Sequence, residues 1–219
     1  MTSRTRWIGF FVLGTLVVAG LPSWALGKSG RKIALGNAPS INKKTEGSPG
    51  FVLVEVSDFE CPVCGESARE VMPDIFEKFV EPGKVELLFL NLPLQMRHPH
   101  AFKAAEAAAC AGDQKMFWEM HSTLFGNQGA LAPDRLPGYA EDLGLDVPAF
   151  RQCLSSGRHG ADIRQDIRTA ESLGITGTPA YLLGRRVPGG DKVEILEVVP
   201  GLVPAAELEK KLDALLASK

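Results

Sequence analysis

The chain has 219 residues, of which 45% are hydrophobic and 23% charged, so it can bury a real core as one elaborated domain or two small ones. Its net charge of -2 gives no electrostatic reason to expect nucleic acid or an anionic membrane surface as a partner. No internal repeat or low-complexity block interrupts it.

The first residues read as an export signal. Arg4 and Arg6 form a positive region, residues 7–21 are apolar, and Ser23-Trp24-Ala25 supplies small residues around a cut after Ala25. The alternative is a retained anchor. The segment is shorter than the roughly 20 apolar residues a spanning helix prefers, and Pro22 ends it. Neither arginine has an adjacent arginine, and no cysteine follows the apolar run, so twin-arginine and lipoprotein signals are not expected. Both readings export the domain, to the periplasm or the outer face of the cytoplasmic membrane, where disulfides persist. Residues 26–50, rich in Gly, Lys, Ser and Asn, read as a flexible leader with one short strand at 32–35.

A buried strand is expected at 51–56, followed by a turn and a helix from Pro62 towards Val80 with a kink at Pro73. Proline fits the first helical position, where its missing N–H costs nothing. Cys61 therefore stands at a helix N-terminus, where unpaired N–H groups and the helix dipole favour a thiolate. Cys64 is close enough to open and close a disulfide with it. Such a bond closes almost no loop, so an inert staple is the weaker reading and a redox pair the stronger.

A second strand is expected at 85–90, a long helical section at 99–173, and strands near 180–183 and 193–199. A closing helix at 204–217 carries Leu208, Leu212 and Leu215 on one face. Within the helical section, Met116, Phe117, Trp118, Met120 and Phe125 read as core. Zinc binding needs two close ligand pairs and only Cys61/Cys64 is close. His98 and His100 have no regular ligand spacing with His121 or His159, so no metal is expected.

This order of elements is an α/β, thioredoxin-like fold with an α-helical insertion: 51–98 the first half, 99–173 the insertion, 174–219 the second half. Cys61-Pro62-Val63-Cys64, Asn91-Leu92-Pro93-Leu94 with His98, the run 104–125, and Gly177-Thr178-Pro179-Ala180-Tyr181 together resemble the DsbA-like thiol–disulfide oxidoreductases of bacterial envelopes. The resemblance implies Cys61 as nucleophile, Cys64 as resolving thiol, and a cis Thr178–Pro179 bond packed against them. Thr178 would present backbone groups to an extended substrate. It implies that Glu55, six residues before Cys61, is a buried acid that exchanges a proton with Cys64; a strand carboxylate reaching solvent is the competing reading. Glu60 is expected to be exposed and to raise the Cys61 pKa slightly.

Val63 departs from strongly oxidising relatives, which carry histidine there, so a weaker oxidant is expected. Four cysteines allow three pairings, and the resemblance implies that Cys110 and Cys153 join in a structural disulfide. Two separate buried thiols, or a relay with Cys61, are the alternatives. No cofactor beyond the Cys61–Cys64 disulfide is expected. Expected partners are proteins with free cysteines and a DsbB-like or vitamin-K-epoxide-reductase-like membrane protein. The chain is expected to be a monomer, with oxidase favoured over reductase or isomerase. A copper- or thiol-binding envelope protein using Cys61 and Cys64 as soft ligands is the rival reading.

Overall fold

The computed structural model describes residues 31–34, 50–189 and 192–218; the expected signal segment at 1–25 lies outside them. Five strands, β1 (Arg31–Ala34), β2 (Phe51–Ser57), β3 (Glu86–Asn91), β4 (Ala180–Arg186) and β5 (Lys192–Pro200), form one sheet in the order β1-β5-β4-β2-β3. β2 and β3 are parallel, and the other neighbours are antiparallel. β2 is thus flanked on both sides, which explains its near-continuous apolar run.

Side chains alternate across the sheet. Val52, Val54, Val56, Leu88, Leu90 and Leu182 form one face, packed on Ala170, Leu173 and Ile175. Leu53, Leu87, Tyr181 and Leu183 form the other, packed on Val71, Met72, Ile75, Leu208 and Leu212. β4 is irregular between Leu183 and Gly184, and a Cβ at Gly184 would come within 2.4 Å of the Glu194 carbonyl oxygen. Only glycine lets β5 approach so closely.

The helix after β2 is less regular than its sequence suggests. α1 (Pro62–Glu66) and α2 (Met72–Ile75) alternate with π-helical turns at Ser67–Val71 and Phe76–Val80. Pro73 lies in the first turn of α2, just past the first π turn, so the irregularity surrounds the proline instead of forming a single kink.

Between β3 and β4 stand α3 (Ala101–Gly112), α4 (Phe117–Gly126), α5 (Leu136–Asp142), α6 (Val147–Ser156) and α7 (Gly160–Ser172). α8 (Ala205–Ala217) closes the fold. α3 is deeply buried because its core positions are alanines, small enough for neighbouring helices to close over them. α6 shows ordinary end chemistry: Asp146 accepts from the Ala149 N–H at 2.9 Å, and Gly157 ends it at a φ of 63°. Phe117, Met120 and Phe125 are core, as expected, with Met116 and Trp118 packed beside them. This insertion core also takes in Phe59, Cys61, Cys64 and Phe89, so the cysteine pair sits on the seam between insertion and sheet.

Two polar anchors fix the sheet's third strand. Glu86, buried at the start of β3, receives Arg186 Nε and Nη2 at 2.8 and 2.7 Å. Asn91 at its end donates to Asp166 of α7 through Nδ2 at 2.8 Å.

Cys110 of α3 and Cys153 of α6 are disulfide-bonded, with Cα atoms 5.8 Å apart. Their partnership spans a sequence separation of 43. Replacing both with alanine is expected to cost about 4 kcal/mol of unfolding free energy in the chain-entropy picture. The shift in denaturation midpoint, at unchanged slope, measures it.

Candidate active site

The turn from β2 into α1 sets the geometry. Cys61 is the N-cap of α1 with extended backbone, φ -73° and ψ 119°, and Pro62 occupies the first helical turn. No side chain caps this end, so its N–H groups are free to face the sulfur.

The turn is tied down from three directions. Asp58 accepts the Glu60 N–H on Oδ1, and the Leu94 N–H and His98 Nδ1 on Oδ2, each at 2.8 Å. Glu60 accepts the His100 N–H at 2.6 Å. From the insertion, Gln128 Nε2 donates to the carbonyls of Phe59 and Cys61 at 2.9 and 2.7 Å. The side chain of Gln128 crosses the helix at Gly65, where any Cβ would fall 2.0 Å from its Oε1.

The Thr178–Pro179 peptide bond is cis, and it brings the Thr178 carbonyl oxygen within 3.8 Å of Cys61 Sγ. Residues 117 apart in sequence thus meet at one sulfur. Cys61 is 6% exposed and Cys64 fully buried, both as free thiols. Val63 between them is 41% exposed and forms an apolar lip.

The two thiols differ sharply in acidity. Cys61 is pulled down to about 5, chiefly by the hydrogen bond from the Cys64 thiol. Burial opposes this, and the Cys64 N–H, the Thr178 side chain and the Val63 N–H support it. Cys64 is pushed far up, first by burial and then by the bond it gives Cys61. At neutral pH the pair is therefore a thiolate backed by a thiol.

Glu55 lies on β2 beneath this pair and is 1% exposed, so the reading of it as a solvent-facing strand carboxylate is corrected. Burial pushes its carboxyl up to about 7, partly offset by Ser57. Tyr181 on β4 faces it, raised above the usual phenol range by burial and sharing a 2.7 Å hydrogen bond with Ser67. The expected exposure of Glu60 is corrected too: it is half-buried and accepts the His100 backbone N–H.

Sequence reasoning missed Asp58, Gln128 and Ser57. Ser57 alone left a usable signal, standing two residues from Glu55 on the same strand face.

Among the described residues, one cluster has metal-ligand proximity: Cys110, Cys153 and His159. The two sulfurs are already consumed by their mutual bond, and His159 Nε2 lies 2.8 Å from Asp113 Oδ2.

A dithiol at a helix N-terminus beside a cis proline, on a sheet of this topology, defines a thioredoxin-like protein. The thioredoxin family model matches residues 49–194, and the chain belongs to that family. Its fold is the DsbA-like form. Wolbachia pipientis alpha-DsbA1 superposes with a TM-score of 0.71 at 23% identity, covering 84% of this chain and 94% of that one. Oxidised BdbD from Bacillus subtilis gives 0.70 at 18% identity, covering 83% and 96%. In sequence, the chain is 41% identical over 145 residues to the Na(+)/H(+) antiporter NhaA 1 of Salinispora arenicola, covering 66% of this chain but only 22% of that protein. The NhaA of Herminiimonas arsenicoxydans matches at 34% over 140 residues, again covering 22% of its length.

Two outcomes follow from the acidities. Thiolate absorbance of the reduced protein is expected to titrate near pH 5 for Cys61, and Cys64→Ala is expected to move that midpoint upward by removing the main donor. Glu55 has the opposite sign of linkage. Its raised value favours the folded state below the unfolded value of about 4.3 and penalises it as pH rises through 7. Between pH 4 and pH 8 the wild type is expected to lose about 3 kcal/mol of stability relative to Glu55→Gln, read from paired denaturant melts.

Proposed function

We propose that the chain is an exported thiol–disulfide oxidoreductase that exchanges disulfides with cysteines of envelope or secreted proteins through Cys61 and Cys64. The observation that carries this reading is the acidic Cys61 sulfur set against the Thr178 carbonyl, with the Cys64 thiol buried behind it. An inert staple has no use for such an asymmetry, whereas exchange needs a good leaving thiolate on the exposed side.

In the oxidising direction, a substrate thiolate attacks Cys61 Sγ. The Cys61–Cys64 bond breaks, its electron pair stays on Cys64, and Cys64 takes up a proton. A second substrate thiolate then attacks the substrate sulfur of the mixed disulfide and expels Cys61 as its stable thiolate. Thr178 and Pro179 hold the substrate segment against Cys61, and Pro62 and Val63 shape the lip it meets. Glu55 supplies the Cys64 proton. Oxidation is the favoured direction, with the enzyme restored by a DsbB-like or vitamin-K-epoxide-reductase-like membrane protein and acting as a monomer in the periplasm or at the outer face of the cytoplasmic membrane.

What the longer antiporter relatives do is not carried over. The match spans 22% of their length, and among the described residues no helix is long and apolar enough to cross a membrane.

The test is a pair of variants in the native host. Cys64→Ala is expected to accumulate mixed disulfides between Cys61 and envelope proteins, resolved by reducing agent on gels. Cys61→Ala is expected to trap none and to lose insulin-reducing activity in vitro. Full activity in Cys61→Ala, or tight copper binding without any exchange, overturns the reading.

A further inference from the structure

One buried hydroxyl beside the cysteine pair takes no part in the sulfur exchange itself. Ser57 follows Glu55 by two residues on β2, so both side chains point to the same face of the sheet. Ser57 is buried, and its Oγ has no hydrogen-bond partner in place among the described residues, an unfavourable state for a hydroxyl removed from water. It nonetheless lies close enough to Glu55 and to Cys64 to weigh on the acidity of each. Glu55 Oε1 is also buried without a partner. Beyond it opens a pocket of about 230 Å³ whose walls include Glu55, Met72, Phe76, Trp118, His121 and Ser122. A carboxyl and a thiol therefore flank a hydroxyl that both gives and accepts protons, and the carboxyl has an outlet.

We propose that the Ser57 hydroxyl relays a proton between Cys64 Sγ and the Glu55 carboxyl, and that Glu55 exchanges this proton with water through the pocket between α2 and α4. The proposal rests on the exchange reaction described above. When a substrate thiolate attacks Cys61, the Cys61–Cys64 bond breaks and leaves its electron pair on Cys64. Ser57 passes its proton to that sulfur and takes one from Glu55, so the hydroxyl is regenerated. The Glu55 carboxylate is then reprotonated from pocket water. When Cys64 attacks the Cys61 sulfur of a mixed disulfide, the Cys61–Cys64 bond forms, the substrate thiolate leaves with its electron pair, and each proton transfer runs backwards. The only redox partners are the substrate sulfurs.

Several titratable groups surround Glu55: Cys64 and, beyond it, Cys61 at the start of α1, Tyr181 on β4, and His121 on α4. Tyr181 shares its hydrogen bond with Ser67 and is raised out of the working range by burial. Glu55→Gln is used to assign the ionisation to Glu55.

The experiment mixes the oxidised full-length chain with excess reduced glutathione, in H2O and D2O from pH 5 to 9, and times the release of Cys64 by rapid alkylation. Rates are corrected for the glutathione thiolate fraction. Ser57→Ala is expected to slow release about 100-fold and to abolish the solvent isotope effect. Ser57→Thr is expected to restore both. The Ser57→Ala/Glu55→Gln double variant is expected to be no slower than Glu55→Gln alone, because the two residues serve one transfer. A wild-type rate and isotope effect in Ser57→Ala overturns the relay, as do losses that multiply in the double variant. Should Ser57→Ala not fold, Ser57→Gly takes its place under the same criteria. Failure of the relay is distinct from failure of the parent reading, since the latter is judged by whether Cys61→Ala still exchanges disulfides.

Discussion

A thiolate at Cys61 survives in a largely buried position only while donors converge on it. They come chiefly from Cys64 and from the Val63 backbone, and the first of these is the thiol that must later form a bond with the same sulfur. The arrangement is therefore self-limiting. Oxidation consumes the charge and its principal donor together, so the reduced pair gains a stabilisation that the disulfide cannot have. Val63 contributes nothing to it through a side chain; its share is a backbone N–H.

The surroundings hold this geometry without touching the sulfur. Asp58 gathers three donors from the β2–α1 turn and from the loop after β3, while Gln128 reaches across from the insertion to two carbonyls of the turn. Carbonyls left unpaired so close to a negative sulfur would be costly in a site shielded from water. The insertion is thus part of the site's construction, and its own disulfide between α3 and α6 keeps it compact.

Much of this was legible in advance because it rests on local chemistry. Proline after Cys61 announces a helix start, alternating and continuous apolar runs announce strands, and Thr178-Pro179 with the Cys-x-x-Cys marks two ends of one family pattern. The strand bounds shifted by only a residue or a few, since apolar runs record burial and not where pairing stops. The π turns at Ser67–Val71 and Phe76–Val80 were invisible, because a proline signals disruption without saying how the backbone absorbs it. Gln128 and Asp58 were missed for a different reason. Each acts through a contact across dozens of residues, and a polar side chain in a loop looks the same whether it meets solvent or a buried carbonyl. Glu55 lay between these cases: its position suggested burial, but only packing from α1, α2 and β4 could decide it.

The crossing of Gln128 over Gly65 has an evolutionary corollary. A methyl group at position 65 would displace the amide that satisfies the Phe59 and Cys61 carbonyls, and a shorter side chain at 128 would leave those carbonyls bare while freeing the space above the helix. Neither site can drift independently. Homologues that carry a side chain at 65 should have rebuilt 128 as well, so the two columns should covary although they belong to different structural layers.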